Sequence, residues 1–496
     1  MGCRRLHCAV VVLSLAASAA QQAHAIDTRK PDHPARVWFV DNTAAGNGDG
    51  SMVAPFDRLG RAERAADLGD TIYVFRGDGT ARGLDEGIRL RPYQRLIGSG
   101  VTFAVGGEEA LPAGERPLLA AARGPAVVLA PGTRIEGLAL SAVDGPALVG
   151  DDVGGVVLST LSVDGAVHLR EPRGDLRIES SDLVARAGPA LLVESTSGVA
   201  RIEVAALTLS GQGADAGAGA ASGASSGGLQ VRASGDAALV VAVASTVLEE
   251  VIGHGFAFTV EGSALLQVEL TGSGPGGALS SRPTTTVVGE ARGNGRMEIA
   301  ARGNDLVGRE TGVLLTAHDR GKLRAELVAN AVGDAGMARG AVLLLGDGAE
   351  GTFSLTRNHI AGQSAEAVYA LAASRSQLGL AVRDNDLASG TGRGAAPYPA
   401  LAVETRDESR GCLVLAENRF ADEDGAGPAV ALRQHGESLL AVSGHEPATL
   451  AGAGHATERL GASNRLTRVV VEGERALAAP AGLPCPAPPP SLAAAP

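Results

Sequence analysis

"AELVANAVGDAGMARGAVLLLGDGAEGTFSLTRNHI", residues 325–360, contains the pattern on which the fold turns. Asn330 and Asn358 stand 28 residues apart, each with an apolar residue three before it (Leu327, Leu355) and another two after it (Val332, Ile360). Positions −3 and +2 are five apart, and side chains alternate along a strand, so both cannot share one face of a straight strand. The chain must bend near the asparagine, which tolerates the left-handed backbone of a sharp corner. The marker extends outward to Asn304, Asn385 and Asn418, with gaps of 26, 27 and 33 residues. Stacked one above another, such asparagines can bond into a ladder.

A second marker runs in phase with the first: a small residue, proline or glutamate followed by a short apolar strand. It is "GAVLLL" at Gly340 within the quoted stretch, and "PAVVL" at Pro125, "PALLV" at Pro189, "EAVYAL" at Glu366 and "PAVAL" at Pro428 elsewhere. Twelve copies follow one another at steps of 19 to 33 residues, with one step of 39. Short strands, frequent bends and a period in the twenties specify a β-solenoid. Fixed leucines of a leucine-rich repeat are missing, and a propeller blade would need about 40 residues. Twelve or more rungs at about 4.8 Å each predict a rod on the order of 60 Å long. The long step holds "ADAGAGAASGASSGG", a low-complexity loop assigned to 214–227.

The ends read differently. Arg4 and Arg5, the apolar run Ala9–Ala20 and "AHA" at 23–25 read as a signal peptide over 1–25, removed on export through the Sec pathway. Residues 26–36 are a short linker, 37–100 a capping module with the first rungs, 101–475 the solenoid, and 476–496 a Pro/Ala-rich tail. In "APFDRLGRAERAADLGDTIYVF", Pro55 suits a helix start, and Phe56, Leu59, Ala62, Ala65 and Ala66 form one apolar face. A solenoid exposes unpaired backbone at its first rung, so one helix over Pro55–Leu68 is expected to act as a lid, with no second helix later.

The stretch "WFVDNTAAGNGDGSMVAPFDRLGRAERAADLGDTIYVFRGDGTARGLDEGIRLRPYQRLIGSG" (38–100) resembles the N-terminal module of bacterial secreted or cell-surface β-helix proteins. "GTRIEGLALS" (132–141) resembles a rung of the pectin-lyase-like superfamily. The resemblance implies an all-β, right-handed parallel β-helix with a short N-terminal capping helix. It implies no single activity, since that superfamily includes lyases, glycoside hydrolases, tailspikes and non-catalytic adhesins.

Candidate sites are sparse. "GDD" (Asp151, Asp152) and "GHG" (His254) echo two motifs of polygalacturonase-like hydrolases, but they lie about four rungs apart where that family places them about one apart. The remaining two motifs of that family are missing. Carboxylates for inverting hydrolysis need a separation of about 6.5–9.5 Å. Arg89, Arg91 and Arg95 with Tyr93 could serve a lyase, or form a solvated strand face. Calcium could sit at Asp41, Asn47 and Asp49, or at Asp422, Glu423 and Asp424, though aspartate beside glycine is an ordinary turn former. No cofactor is expected. Tyr369 and Tyr398 are the C-terminal tyrosines that could stack on a sugar, and aromatics make up only 3% of the chain.

A net charge of −12 weighs against nucleic acid as a partner. No long uncharged apolar segment follows the leader, so no transmembrane helix is expected. A monomer is expected. Cys412 and Cys485 remain after leader removal. Cys412 should face outward beside inward Leu413 and Leu415, and an oxidising compartment predicts a Cys412–Cys485 bond tying the tail to the rod. The alternatives are an unpaired surface thiol or a bridge between two molecules. The leading expectation is an exported non-catalytic scaffold binding a polysaccharide or a cell-surface component. The alternative is a polysaccharide lyase or glycoside hydrolase.

Overall fold

The computed structural model describes residues 35–486, apart from 106–107, 213–225, 278–280, 334–336, 389, 391–397, 422–427, 446–449, 451–452, 474–476 and 484. The leader and residues 214–225 of the expected loop 214–227 lie outside the described residues. So do Asp422, Glu423 and Asp424. Ser226 and Gly227 are not loop but open the strand Ser226–Ala233. The chain forms a right-handed parallel β-helix with three faces. The first face is one sheet of 15 strands, from Val37–Val40 to Leu439–Val442, all parallel. At about 4.8 Å per strand this is a rod of roughly 70 Å.

The second face runs from Ile88–Arg89 to Val469–Gly473, and the twelve apolar markers lie along it. The third face is made of short strands. It ends in a four-stranded sheet of Ala331–Val332, His359–Ile360, Asp386–Ala388 and Arg419–Ala421. Two long strands, Ala139–Asp151 and Ser162–Arg170, run round from the third face to the second. Alternate residues of the first-face strands point inward, so Leu323, Leu355 and Leu380 join one continuous core along the rod. Full burial of each such leucine stabilises by about 1.5–3 kcal/mol.

The asparagine ladder forms between the first and third faces. The backbone N–H and Nδ2 of Asn330 both donate to Asn358 Oδ1 at 3.0 Å. Asn358 donates in the same way to Asn385, and Asn385 to Asn418. Each Nδ2 also donates to a carbonyl of the preceding rung, as Asn358 does to Leu327 at 2.8 Å. The ladder runs further than the sequence marker. Asn418 donates to Asn464 at its lower end, and Ser273 and Thr246 continue it upward.

The corner geometry corrects one expectation. The left-handed residue is the one before each asparagine: Ala329 (φ 54°), Arg357 (56°), Asp384 (52°) and Glu417 (61°). The asparagine itself supplies the bonds that hold its neighbour in that conformation.

Both ends are covered. Helix α1 spans only Leu59–Ala65, with Arg58 extended at its start. Pro55 and Phe56 are not helical. Phe56 instead pairs as a single parallel bridge with Val40. Leu59, Ala62 and Ala66 are fully buried on the end of the core, as a lid requires. A second helix, α2 (Ala453–Gly461), contradicts the expectation of a single one. Ala456 and Leu460 are buried at the C-terminal end of the same core, so each open end of the rod has its own cap.

Two further covers lie outside the first face. Near its top, a hairpin of Phe103–Val105 and Glu108–Leu111 accompanies a small second core of Phe39, Tyr73, Ile97 and Phe103. At its bottom, Leu477 enters the core, and Ala478 donates to Leu440 O at 2.7 Å. The tail then reaches Cys412 through the Cys412–Cys485 disulfide. Cys412 alternates with inward Leu413 as expected, but it is buried.

Candidate functional site

The residues singled out in the sequence do not assemble. Arg89 lies on the second face, Tyr93 takes a left-handed turn (φ 64°), and Arg95 lies on the first face in register with Arg134. Arg91 bonds Ala66 O and Asp67. Register carries Asp151 through Arg170, Glu194 and Arg232 to Thr259, so the aspartate and the strand holding His254 stay four rungs apart. Asp152 is paired with Arg173. His254 has a buried Nδ1 with no hydrogen-bond partner, and burial holds its pKa below the usual imidazole value.

The expected calcium loop is closed by local bonds. Asp41 accepts from the backbone and hydroxyl of Thr43, and Asp49 from the backbone of Ser51. Among the described residues no group of three or more His, Cys, Asp or Glu side chains could hold a metal ion.

A convergence that sequence reading missed sits on the second face near the C-terminal end. Glu404, 5% exposed, accepts from Tyr369 Oη (3.2 Å) and Arg406 Nε (2.6 Å), with His435 Nε2 at 3.4 Å. Arg339 pairs with the buried Glu366 at 2.8 Å and lies over the Tyr369 ring, 5.2 Å from its centroid. Burial, followed by the charge of Glu404, raises the phenol pKa above its ordinary value. Glu404 is thus taken up by two donors, Tyr369 and Arg406, and the phenol is moved away from acting as a base at neutral pH. Apart from Arg406, two residues from Glu404, the contacting partners lie 27 to 35 residues apart in sequence, so only the rung register could have revealed the group.

The rest of the second face's exterior consists of two columns. One is nearly apolar and includes Leu192, Ala257, Val288, Leu314, Val342 and Tyr369 in register. Its neighbour begins as an alternating charge ladder, Asp151, Arg170, Glu194, Arg232, and ends as Glu404, Arg433, Glu472. Burial opposes ionisation of Glu194, but His168 and Arg232 outweigh it and lower its pKa.

The first face differs in kind. Between its two covers it presents exposed or half-buried planar and charged groups on successive rungs. Arg177 and Arg201 both reach Glu203 (3.0 and 3.1 Å), and Gln267 reaches Glu298 (3.1 Å). Arg302 and Arg324 both reach Glu326, and Lys322 reaches Glu350 at 2.7 Å. A hollow of about 360 Å³ is lined by Gln267, Glu269, Glu298, Arg324 and Glu326. Cations and anions are closely interspersed, so the surface has many hydrogen-bonding groups and little net field.

No family model matches the chain, and no curated protein matches it. Among solved structures it is similar to the A-module of a mannuronan C-5 epimerase from Azotobacter vinelandii. That match has 12% identity and a TM-score of 0.29 over 82% of this chain and 98% of that one. It is also similar to a GH136 lacto-N-biosidase from Eubacterium ramulus, at 10% identity and a TM-score of 0.29 over 82% and 68% of the two chains. These are likenesses of fold, and what those enzymes act on does not transfer with them. Among the described residues no helix is long and apolar enough to cross a membrane.

Proposed function

We propose that this protein is an exported, non-catalytic β-helix scaffold that holds an extended, hydroxyl-rich polysaccharide along the outside of its first face. The observation that carries the reading is the run of Gln267, Glu298, Arg324, Glu326 and Glu350, which places planar polar groups on consecutive rungs. Amides, carboxylates and guanidinium groups are the side chains that bond vicinal hydroxyls through two atoms at once. The balance of signs and the net charge of −12 favour a neutral polymer over a polyanion.

With no aromatic side chain among the outward residues of these central rungs, each sugar contact is weak and binding accumulates along the chain. Affinity electrophoresis in gels containing neutral polysaccharides tests this. Retardation should grow with oligosaccharide length in competition and be lost in Glu298→Ala/Arg324→Ala. Equal retardation of that double variant would overturn the assignment of the face. The Tyr369–Glu404 convergence is the observation favouring an enzyme. Release of oligosaccharides from a polysaccharide panel, abolished by Glu404→Gln, would replace the scaffold reading with that one.

A further inference from the structure

The second face carries a self-complementary pattern. We propose that two copies of this chain pack second face to second face, with their rods antiparallel and a twofold axis through the rung of Leu314 and Thr316. An axis along the strand direction lays each column on its own copy and reverses the order of rungs. Both faces are then read against themselves, and the match can be checked residue by residue.

Counting rungs away from the Leu314 rung in both directions gives the pairs. Leu314 and Thr316 meet their own copies, and Val288 meets Val342. One rung further, Ala257 faces Tyr369, the smallest residue of that stretch against the largest. The charged column then pairs Arg232 with Glu404, Glu194 with Arg433, and Arg170 with Glu472. These three are pairs of opposite sign, and each occurs twice; between them and the axis Thr259 faces Leu371, and Glu290, which accepts from Arg292 of its own chain, faces Leu344.

The register is specific. Moving either copy by one rung sets Glu194 against Glu404 and Arg170 against Arg433, or else Glu194 against Glu472 and Arg232 against Arg433. Like charges so placed oppose association. Two-rung shifts keep some opposite-sign pairs, Arg170 with Glu404 or Arg232 with Glu472, but bring the buried Glu290 onto itself or onto Glu404. A parallel arrangement would lay the charged column over the apolar one.

The apolar content also demands a partner. Val288, Leu314, Leu344, Tyr369 and Leu371 are half-buried outward residues on consecutive rungs of one flat sheet. Contiguous apolar surface of this kind marks an interaction site. Eleven rungs at about 4.8 Å, each roughly 16 Å wide, give about 850 Å² per copy, which meets the size of a stable interface. The first faces are left pointing away on both sides, so the pair would offer two copies of the polar lattice. This departs from the monomer expected from sequence.

Sedimentation equilibrium of the chain from residue 26 onward should show a dimer over the loading range. Leu314→Arg should be monomeric with an unchanged circular dichroism spectrum, melting lower than the parent only by the stabilisation that dimerisation supplies. Thr316→Cys should cross-link to its own copy through a bismaleimide spanning about 10 Å, the spacing of stacked sheets. Gln377→Cys, on the first face, should not. In a mixture of Ala257→Cys and Tyr369→Cys chains, cross-links should form between unlike chains alone. A monomer throughout the range, a dimer that survives Leu314→Arg, or a dimer whose Thr316→Cys form fails to cross-link would each overturn the proposal. If Leu314→Arg does not fold, the cysteine pattern decides alone.

Discussion

Replacing Asn358 by alanine is the sharpest test of what holds the corners. The substitution removes the Oδ1 that accepts two hydrogen bonds from Asn330, both 3.0 Å, and the Nδ2 that donates to Leu327 O at 2.8 Å. Asn330 and Asn358 are each 2% exposed, so water does not replace these partners. A buried donor left without an acceptor destabilises by about 1–3 kcal/mol, and two are orphaned, which gives roughly 2–6 kcal/mol. The Leu327 carbonyl adds less, since a carbonyl has a second lone pair. Urea unfolding followed by circular dichroism gives the total, and amide exchange shows whether rungs on either side of residue 358 open first.

A double-mutant cycle isolates the ladder itself. Asn330→Ala removes one of the two orphaned donors, so the combined variant should lose less than the sum of the singles, with a coupling of about 0.5–3 kcal/mol. Asn47→Ala, at an exposed turn, is the control and should change stability by less than about 0.5 kcal/mol. If Asn358→Ala loses no more than that control, or the two ladder substitutions are strictly additive, the ladder is not what stabilises the corner.

Other consequences can be checked on the same protein. Cys412→Ser should lower stability by up to roughly 4 kcal/mol, because the bond closes a separation of 73 residues, and free-thiol labelling under non-reducing conditions should find no reactive cysteine in a parent chain that starts at residue 26. Hydrogen bonds from Thr80 and then Asn42 hold the Asp78 carboxyl down at about 2. A depressed native pKa stabilises above the unfolded value of 3.8 and is lost as pH falls through 2. Asp78→Asn should therefore melt lower than the parent at neutral pH, and the gap should close between about pH 4 and pH 2. Gly132 has φ 74°, and an added methyl would strike the Tyr93 ring. Gly132→Ala should destabilise by roughly 1–2 kcal/mol or more, with part of the loss recovered in Tyr93→Ala.

The fold was legible because its two strongest signals repeat. The second-face strands are buried runs such as "GAVLLL", and the asparagines mark one corner of each rung. First-face strands such as Lys322–Val328 alternate charged and apolar residues, so they carry no fixed word to search for, and counting by motif undercounts the rungs. Asn464 escaped because α2 intervenes and stretches its gap from Asn418 to 46 residues. Ser273 and Thr246 escaped because a hydroxyl does the amide's work there. The Glu404 cluster was hidden for a geometric reason. Residues far apart in sequence become neighbours only once the rung lengths are known, and those lengths vary with every turn.

The tail's attachment decides how the rod would respond to tension. Cys412 lies on the strand above the last strand of the first face, and Cys485 is joined to it. A pull applied beyond residue 485 is therefore delivered sideways to Arg410–Ala416, while Leu439–Val442, α2 and Val469–Gly473 fall within the closed loop and off the load path. In the reduced protein the same pull would peel Val469–Gly473 and α2 away strand by strand from the free end. The disulfide thus converts a zipper that opens from its last rung into an anchor set on the flank of the rod.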